Sequence, residues 1–240
     1  MRCRWRRARI LGDQIEIDEV SGTQHLLEGV GLVDVEGQRT QAVVEGIGQA
    51  LGAIVDHVGD AQRTFEGLPA GEHVLAGVPY VIYEMPTSPV PQVLMLGGDG
   101  VPGNLPAEIR AIPVGRKAGA LFFLHTARVD RRLNDRERRE GKELELCRYI
   151  VRYAGGRTEE ISVVSETHID DYRQKHAAAL PGAQLAWTRP YESGGVSAAA
   201  YAMQWDNPHP DAEIESIDMI YGPERCGVPC LIAVTAATAR

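Results

Sequence analysis

Glycine and proline interrupt this chain about once every six residues: 26 glycines and 14 prolines fall among 240 positions. A glycine inside a helix costs about 1 kcal/mol against alanine, and a proline about 3 kcal/mol. Short strands joined by tight turns suit that density better than long helices. A hydrophobic content of 44% and a charged content of 24% are those of a globular chain. The longest apolar runs, such as 120–124 (ALFFL), are too short for a membrane-spanning helix, so no membrane partner is expected.

From residue 73 onward the pattern reads as strand, turn, strand. Residues 73–85 (HVLAGVPYVIYEM) and 91–98 (PQVLMLGG) are expected strands, the second ended by the turn signal GGDG at 97–100. Residues 108–126 hold two further runs, and the second, 120–124, is apolar throughout, as a strand covered on both faces would be. Residues 143–153 and 158–164 flank AGGR at 154–157, the clearest hairpin in the chain. Cys147, Tyr149, Val151 and Tyr153 share one side of a strand, with Arg148 and Arg152 on the other. Tyr201, Met203 and Trp205 alternate with Ala200, Ala202 and Gln204, while Ile217, Met219 and Tyr221 share one face of 213–221. Eight or nine such strands predict an all-β fold, an antiparallel β-sandwich or jelly roll with a short helical insertion.

Two stretches depart from this pattern. Residues 130–145 carry six basic and six acidic residues, a solvated loop or short surface helix with local ion pairs. Residues 165–180 have helical spacing closed by Pro181-Gly182 and are expected to cross one end of the sandwich. The N-terminal segment, 1–60, stands apart from a sandwich domain at 61–240. It opens with a basic leader at 1–9, expected to be exposed or poorly ordered, and continues with a strand at 14–20. Residues 40–58 fit a helix or a strand pair equally.

The first nine residues carry +5 in a chain of net charge −8, so the rest stands at −13. That acidic remainder repels phosphate, and no nucleic-acid partner is expected. No apolar stretch follows the basic leader as a signal peptide requires. Cys226 and Cys230 form a lone C-x3-C, either a disulfide or two buried thiols. Phosphate-loop, nucleophile-elbow, zinc-protease and dinucleotide motifs are all missing. The GGDG at 97–100 could supply a calcium carboxylate, but as a turn it needs none; no cofactor is expected.

Three places hold residues able to do chemistry. His125 follows the apolar run 120–124 and either faces a cleft or is a core-margin histidine bonded to backbone. The segment 187–195 offers Trp187, Arg189, Tyr191 and Glu192 beside flexible glycines. Sugar sites use such mixtures, with aromatic faces against C–H groups and polar groups for hydroxyls. Trp205 is followed by the proline-stiffened turn Asp206-Asn207-Pro208-His209-Pro210-Asp211, which either presents a fixed polar site or is an Asx turn over a packed tryptophan. The two segments leave opposite ends of one nine-residue strand, about 30 Å apart, so they cannot line one monosaccharide pocket. Of the two, the turn after Trp205 is favoured, because its prolines reduce the entropy lost on ordering a site.

Residues 68–238 resemble the galactose-binding-like β-sandwich domains of bacterial carbohydrate-processing proteins. The resemblance is carried by LAGVPYVI at 75–82, IPVGRKA at 112–118, LFFLHTA at 121–127, YIVRYAG at 149–155, WDNPHP at 205–210 and IESID at 214–218. It implies a module accessory to a glycoside hydrolase, exported to the periplasm or beyond, whose partner is a polysaccharide or oligosaccharide. Trp205, Asn207, His209, Trp187, Arg189 and Tyr191 are the expected ligand-binding residues. The alternative is a carbohydrate-active enzyme on the same fold. A glycosidase would draw on Glu192, Asp206 and Asp211, and a lyase on Tyr191 or His125 with Arg189. A third reading, a purely structural domain that packs on a catalytic partner, predicts a broad exposed apolar face.

Overall fold

The computed structural model describes residues 67–68, 70–82, 93–97, 105–191 and 195–237, together with the backbone of 5–11, 14–20, 84–85 and 88–91. Trp5–Leu11 (β1) and Gln14–Val20 (β2) form an antiparallel hairpin. Part of the basic leader is thus a paired strand rather than a loose tail, and 14–20 is the strand its alternation predicts. Residues 40–58 and the 97–100 turn beyond Gly97 lie outside the described residues.

The rest is an antiparallel β-sandwich. Glu108–Lys117 (β8), Glu145–Tyr153 (β10), Thr158–Val164 (β11) and Glu213–Tyr221 (β15) form one sheet in the order β11-β10-β15-β8. The second sheet runs β14-β9-β16-β7, built from Ser197–Asp206 (β14), Ala120–Arg128 (β9), Val228–Ala237 (β16) and Leu94–Met95 (β7). Ala183–Pro190 (β13) pairs along the outer edge of β14.

Alternation along β9 divides two cores. Leu121 and Phe123 enter the core between the sheets, where Tyr149, Val151, Tyr153, Ile217 and Met219 meet them. Ala120, Phe122 and Leu124 point the other way, into a second core closed by Val78, Tyr80 and Ile82. The second face is covered by a hairpin of Gly71–Leu75 (β3) and Val78–Ile82 (β4). The run ALFFL is uniformly apolar because both faces of its strand are buried. Phe123 and Tyr149 stack across the sheets with ring centroids 4.3 Å apart and planes 8° from parallel.

The structure corrects two details and decides a third. Residues 73–85 are not one strand: the chain reverses at Ala76 (φ +51°) and Gly77 (φ +78°), a two-residue turn with both φ positive that matches strand twist. Residues 165–180 contain no helix; they are turns, bridges and the two-residue strand Arg173–Gln174 (β12). The helix is Arg131–Arg139 (α1), so the charged stretch is the short surface helix of its two expected readings. Asp130 caps it, accepting from Arg132 and Leu133 N–H groups at 3.0 and 3.1 Å. Its buried side chains, Asn134 and Glu137, are polar, and Asn134 donates to Glu166 at 2.7 Å. A short hairpin of Glu84–Met85 (β5) and Ser88–Pro91 (β6) completes the strands.

The outer face of the first sheet carries one buried carboxylate. Asp218 accepts from Arg152 Nε and Nη2 at 2.8 and 2.6 Å and from the Ala111 N–H at 2.9 Å. Ala111 lies in a bulge of β8, where the register slips opposite Asp218, and holds φ +58°. Burial pushes the Asp218 carboxyl up, but the Arg152 and Ala111 hydrogen bonds and the charges of Arg152 and Arg110 outweigh it and hold it below the usual range.

Candidate functional site

The turn after β14 is occupied by the fold itself. Asn207 is buried, and its Oδ1 accepts from the Tyr153 hydroxyl and from the His209 N–H. Its Nδ2 donates to the carbonyls of Ala118 at 2.7 Å and His209 at 3.1 Å. Tyr153 belongs to the first sheet, and Ala118 to the corner between β8 and β9 where the chain changes sheet. The Asn207 amide therefore clasps that corner shut with all its polar atoms engaged. His209 is half-buried, meets the Tyr153 ring edge-on at 5.5 Å and lies 3.0 Å from Glu159. Asp206 and Asp211 are exposed, and Gln204 donates to Asp206 at 2.8 Å.

The two tryptophans do not meet. Trp205, near the end of β14, packs against the core between the sheets. Trp187 pairs beside Ala200 in the middle of β13 and packs against the second core, on the other face. Both are half-buried. Arg189 lies further along β13, with its side chain against Gly67. Tyr191 opens the β13–β14 turn, its N–H bonded to the Val196 carbonyl at 3.0 Å. The structure thus brings Asn207 and His209 together, leaves Arg189 and Tyr191 toward the opposite end of β14, and sets Trp187 apart from Trp205. Glu192 lies outside the described residues.

His125 is fully buried in β9 rather than at a sheet edge. Its Nε2 lies 2.9 Å from the His168 carbonyl, and its Nδ1 lies 3.1 Å from the Tyr149 hydroxyl. A carbonyl only accepts, so Nε2 carries the hydrogen and Nδ1 accepts from Tyr149. Burial pulls its pKa down to about 4, leaving a neutral ring with no route to a substrate.

A different place is open. β9 pairs with β14 from Tyr201 to Asp206, and beyond that the two strands part. Residues 170–174 enter the gap. Asp170 accepts from the Ala127 N–H at 3.1 Å, Tyr172 donates to Ala127 at 2.7 Å, and Ala199 donates to Tyr172 at 2.9 Å. β12 continues the pairing along Ser197 and Ala198, on the edge of β14 that β9 has left, because β13 fills the other. A cleft of about 660 Å³ lies beside this wedge. Arg128, Val129, Arg131, Asp171, Tyr172, Arg173, Gln174, Lys175, His176 and Val196 line it.

Asp171 fastens its walls. One carboxylate oxygen accepts from the Val129 N–H at 3.0 Å, and the other from the Arg173 N–H at 2.8 Å. Arg131 reaches across to donate to the Arg173 carbonyl at 3.1 Å, and Gln174 donates to the Asp171 carbonyl at 2.9 Å. The Arg173 guanidinium lies 5.8 Å from the centre of the Tyr191 ring. Tyr191, a residue of the sequence-derived site, thus touches this cleft's lining. The lining comes from three separated segments, so no local motif could announce it. The available signal was a cluster of basic residues, Arg173, Lys175 and His176, inside the segment expected to cross the sandwich end.

Among the described residues no group of three or more His, Cys, Asp or Glu is placed to hold a metal, and no helix is long and apolar enough to cross a membrane. Cys147, Cys226 and Cys230 are free thiols. Comparison with protein-family models, with curated proteins and with solved structures finds no match for this chain.

Proposed function

We propose that this sandwich is a non-catalytic carbohydrate-binding module and that the cleft beside β12 holds its ligand. The observation that carries the reading is a solvent-open concavity on hydrogen-bonded main chain, lined by Tyr172, Gln174 and basic side chains. Polar groups carried on hydrogen-bonded main chain can meet sugar hydroxyls at a reduced ordering cost. A glycosidase needs two carboxyl groups facing each other across the bond it cuts. Asp171 is the single carboxylate of the lining, and both its oxygens accept from backbone N–H groups. The saccharide class and an accessory role beside a glycoside hydrolase are carried over from the sequence reading of 68–238 and are part of the proposal. The packing-domain reading is less well supported: Val74 and Val81 are the exposed large apolar side chains among the described residues.

The test is calorimetric titration of oligosaccharides, neutral and acidic, into the protein, with amide shifts mapped by NMR. Binding that perturbs 128–131 and 171–176 is the expected result. Binding that perturbs only 205–211 would move the site to the other end of β14. No heat from any saccharide at millimolar concentration would remove the reading, and release of reducing sugar would replace it with an enzyme.

A further inference from the structure

We infer that the cleft beside β12 is built for an anionic saccharide, one bearing carboxylate or sulfate groups; this rests on reading the domain as a saccharide-binding module. The charge around the cleft runs against that of the molecule. The chain has net charge −8, yet Arg128, Arg131, Arg173 and Lys175 line one concavity with Asp171 as their sole acidic neighbour in the lining. With His176 neutral, that lining is net +3.

Many basic groups elsewhere are matched. Arg110 pairs with Glu108 at 2.7 Å, Arg136 with Glu137 at 2.8 Å, and Arg138 with Asp135 at 2.8 Å. Arg148 sits between Glu145 and Glu160 at 2.8 and 2.9 Å, and Arg152 holds Asp218 at 2.6 Å. In the cleft, Arg131 comes no closer than 4.0 Å to Asp171. Arg128, Arg173 and Lys175 have no carboxylate partner among the described residues.

Geometry then favours an anion over a neutral sugar. The Asp171 oxygens face the Val129 and Arg173 N–H groups, so they tie backbone together rather than neutralise the arginines. Arg131 is tethered by the Arg173 carbonyl, and Arg173 lies near the Tyr191 ring, which restricts both guanidinium groups before a ligand arrives. A guanidinium presents a planar fork of donors that fits a carboxylate or sulfate edge with two parallel hydrogen bonds. Lys175, two residues beyond Arg173, adds a point charge at the exposed rim.

The test uses the full 240-residue chain and matched polymers: polygalacturonate against its methyl ester, dextran sulfate against dextran, and poly-L-glutamate as an anion without sugar. Polygalacturonate or dextran sulfate should bind at least about tenfold tighter than its uncharged counterpart, and the preference should weaken as salt screens the contacts. The double variant Arg173→Gln/Lys175→Gln should lose that preference with its melting temperature unchanged, since both side chains are exposed. Arg116→Gln, on an exposed part of β8, should keep it. Equal binding of charged and uncharged polymers would overturn the inference and leave the module reading in place. Binding of poly-L-glutamate with neither acidic glycan would overturn both, as would no binding to any polymer. A loss of preference in Arg116→Gln as large as in the double variant would also overturn the assignment to this cleft.

Discussion

The Tyr149 hydroxyl donates to His125 Nδ1 at 3.1 Å across the two sheets, at a point where neither residue meets solvent. A protonated His125 would turn that acceptor into a donor and place a charge in the core.

Stability should therefore fall in mild acid. His125 titrates near 4 in the folded protein, against 6.5 for a free side chain. The unfolded chain takes up its proton first, so the stabilisation is complete above pH 6.5 and is lost as pH falls toward 4. The loss amounts to about 3 kcal/mol. His168, also lowered by burial, acts in the same direction. Urea unfolding at pH 7.5 and pH 4.5 should show the difference, and His125→Gln, which keeps a donor and an acceptor but does not titrate, should shrink it. An unchanged slope in that variant would mean another group governs the acid limb.

Asn207→Ala should destabilise the sandwich by about 2–3 kcal/mol, because it leaves the buried Tyr153 hydroxyl and the Ala118 carbonyl without a partner. Any saccharide affinity of the folded fraction should stay within about twofold of the parent, read by denaturant titration and calorimetry side by side. Loss of affinity at unchanged stability would restore the turn after Trp205 as the ligand site.

Ala111→Gly should raise stability by about 0.5–1 kcal/mol. Glycine accepts the positive φ of the bulge without the steric cost an alanine carries there, although its freer unfolded chain offsets part of the gain. The N–H donated to Asp218 is retained. Asp218→Ala in the same assay should lower stability, because it strips the bulge N–H and Arg152 of their shared acceptor.

Gly222→Ala should lower stability by about 1–3 kcal/mol and reduce soluble yield. A methyl group there would lie 2.0 Å from the Glu145 carbonyl oxygen, so the end of β15 must move from β10. Thermal melts of the purified variant give the readout; a melting temperature equal to the parent's would show that the two strands can part without cost.

The strand framework was legible because each strand shows its burial in its own alternation. Cys147, Tyr149, Val151 and Tyr153 are all buried, while Arg148 and Arg152 reach the carboxylates of Glu145, Glu160 and Asp218. The turn at Ala76-Gly77 was not legible, since alanine gives no sign that it will adopt a positive φ. Helix α1 was legible only as one of two readings of the charged stretch: it is held by a cap and ion pairs and buries Asn134 and Glu137, so apolar spacing could not decide between loop and helix. Residues 165–180 misled in the opposite sense, with helix-like spacing in a segment whose backbone bonds form local turns around Val164 and Ile169 and, at 170–174, go to β9 and β14.

The expected site was readable only as residue types. Trp187 and Trp205 look alike in sequence, yet strand parity sends them to opposite faces of one sheet. Asn207 looks like a ligand group until the corner at Ala118 comes into contact with it. Those outcomes depend on long-range pairing, which one segment does not encode.

The wedge of 170–174 is fastened by main-chain bonds to Ala127 and Ala199 and by the single carboxylate of Asp171. Arg173, Lys175 and His176 contribute only their backbone or nothing to that fastening, and their side chains are exposed. On the proposed reading, recognition by Arg173 and Lys175 and the fastening of the wedge therefore rest on different atoms, while the Arg131 guanidinium, bonded to the Arg173 carbonyl, serves both. If the proposed site is right, exchanging these rim residues, one or all three, should redirect the domain to another partner while the two sheets beneath stay as they are.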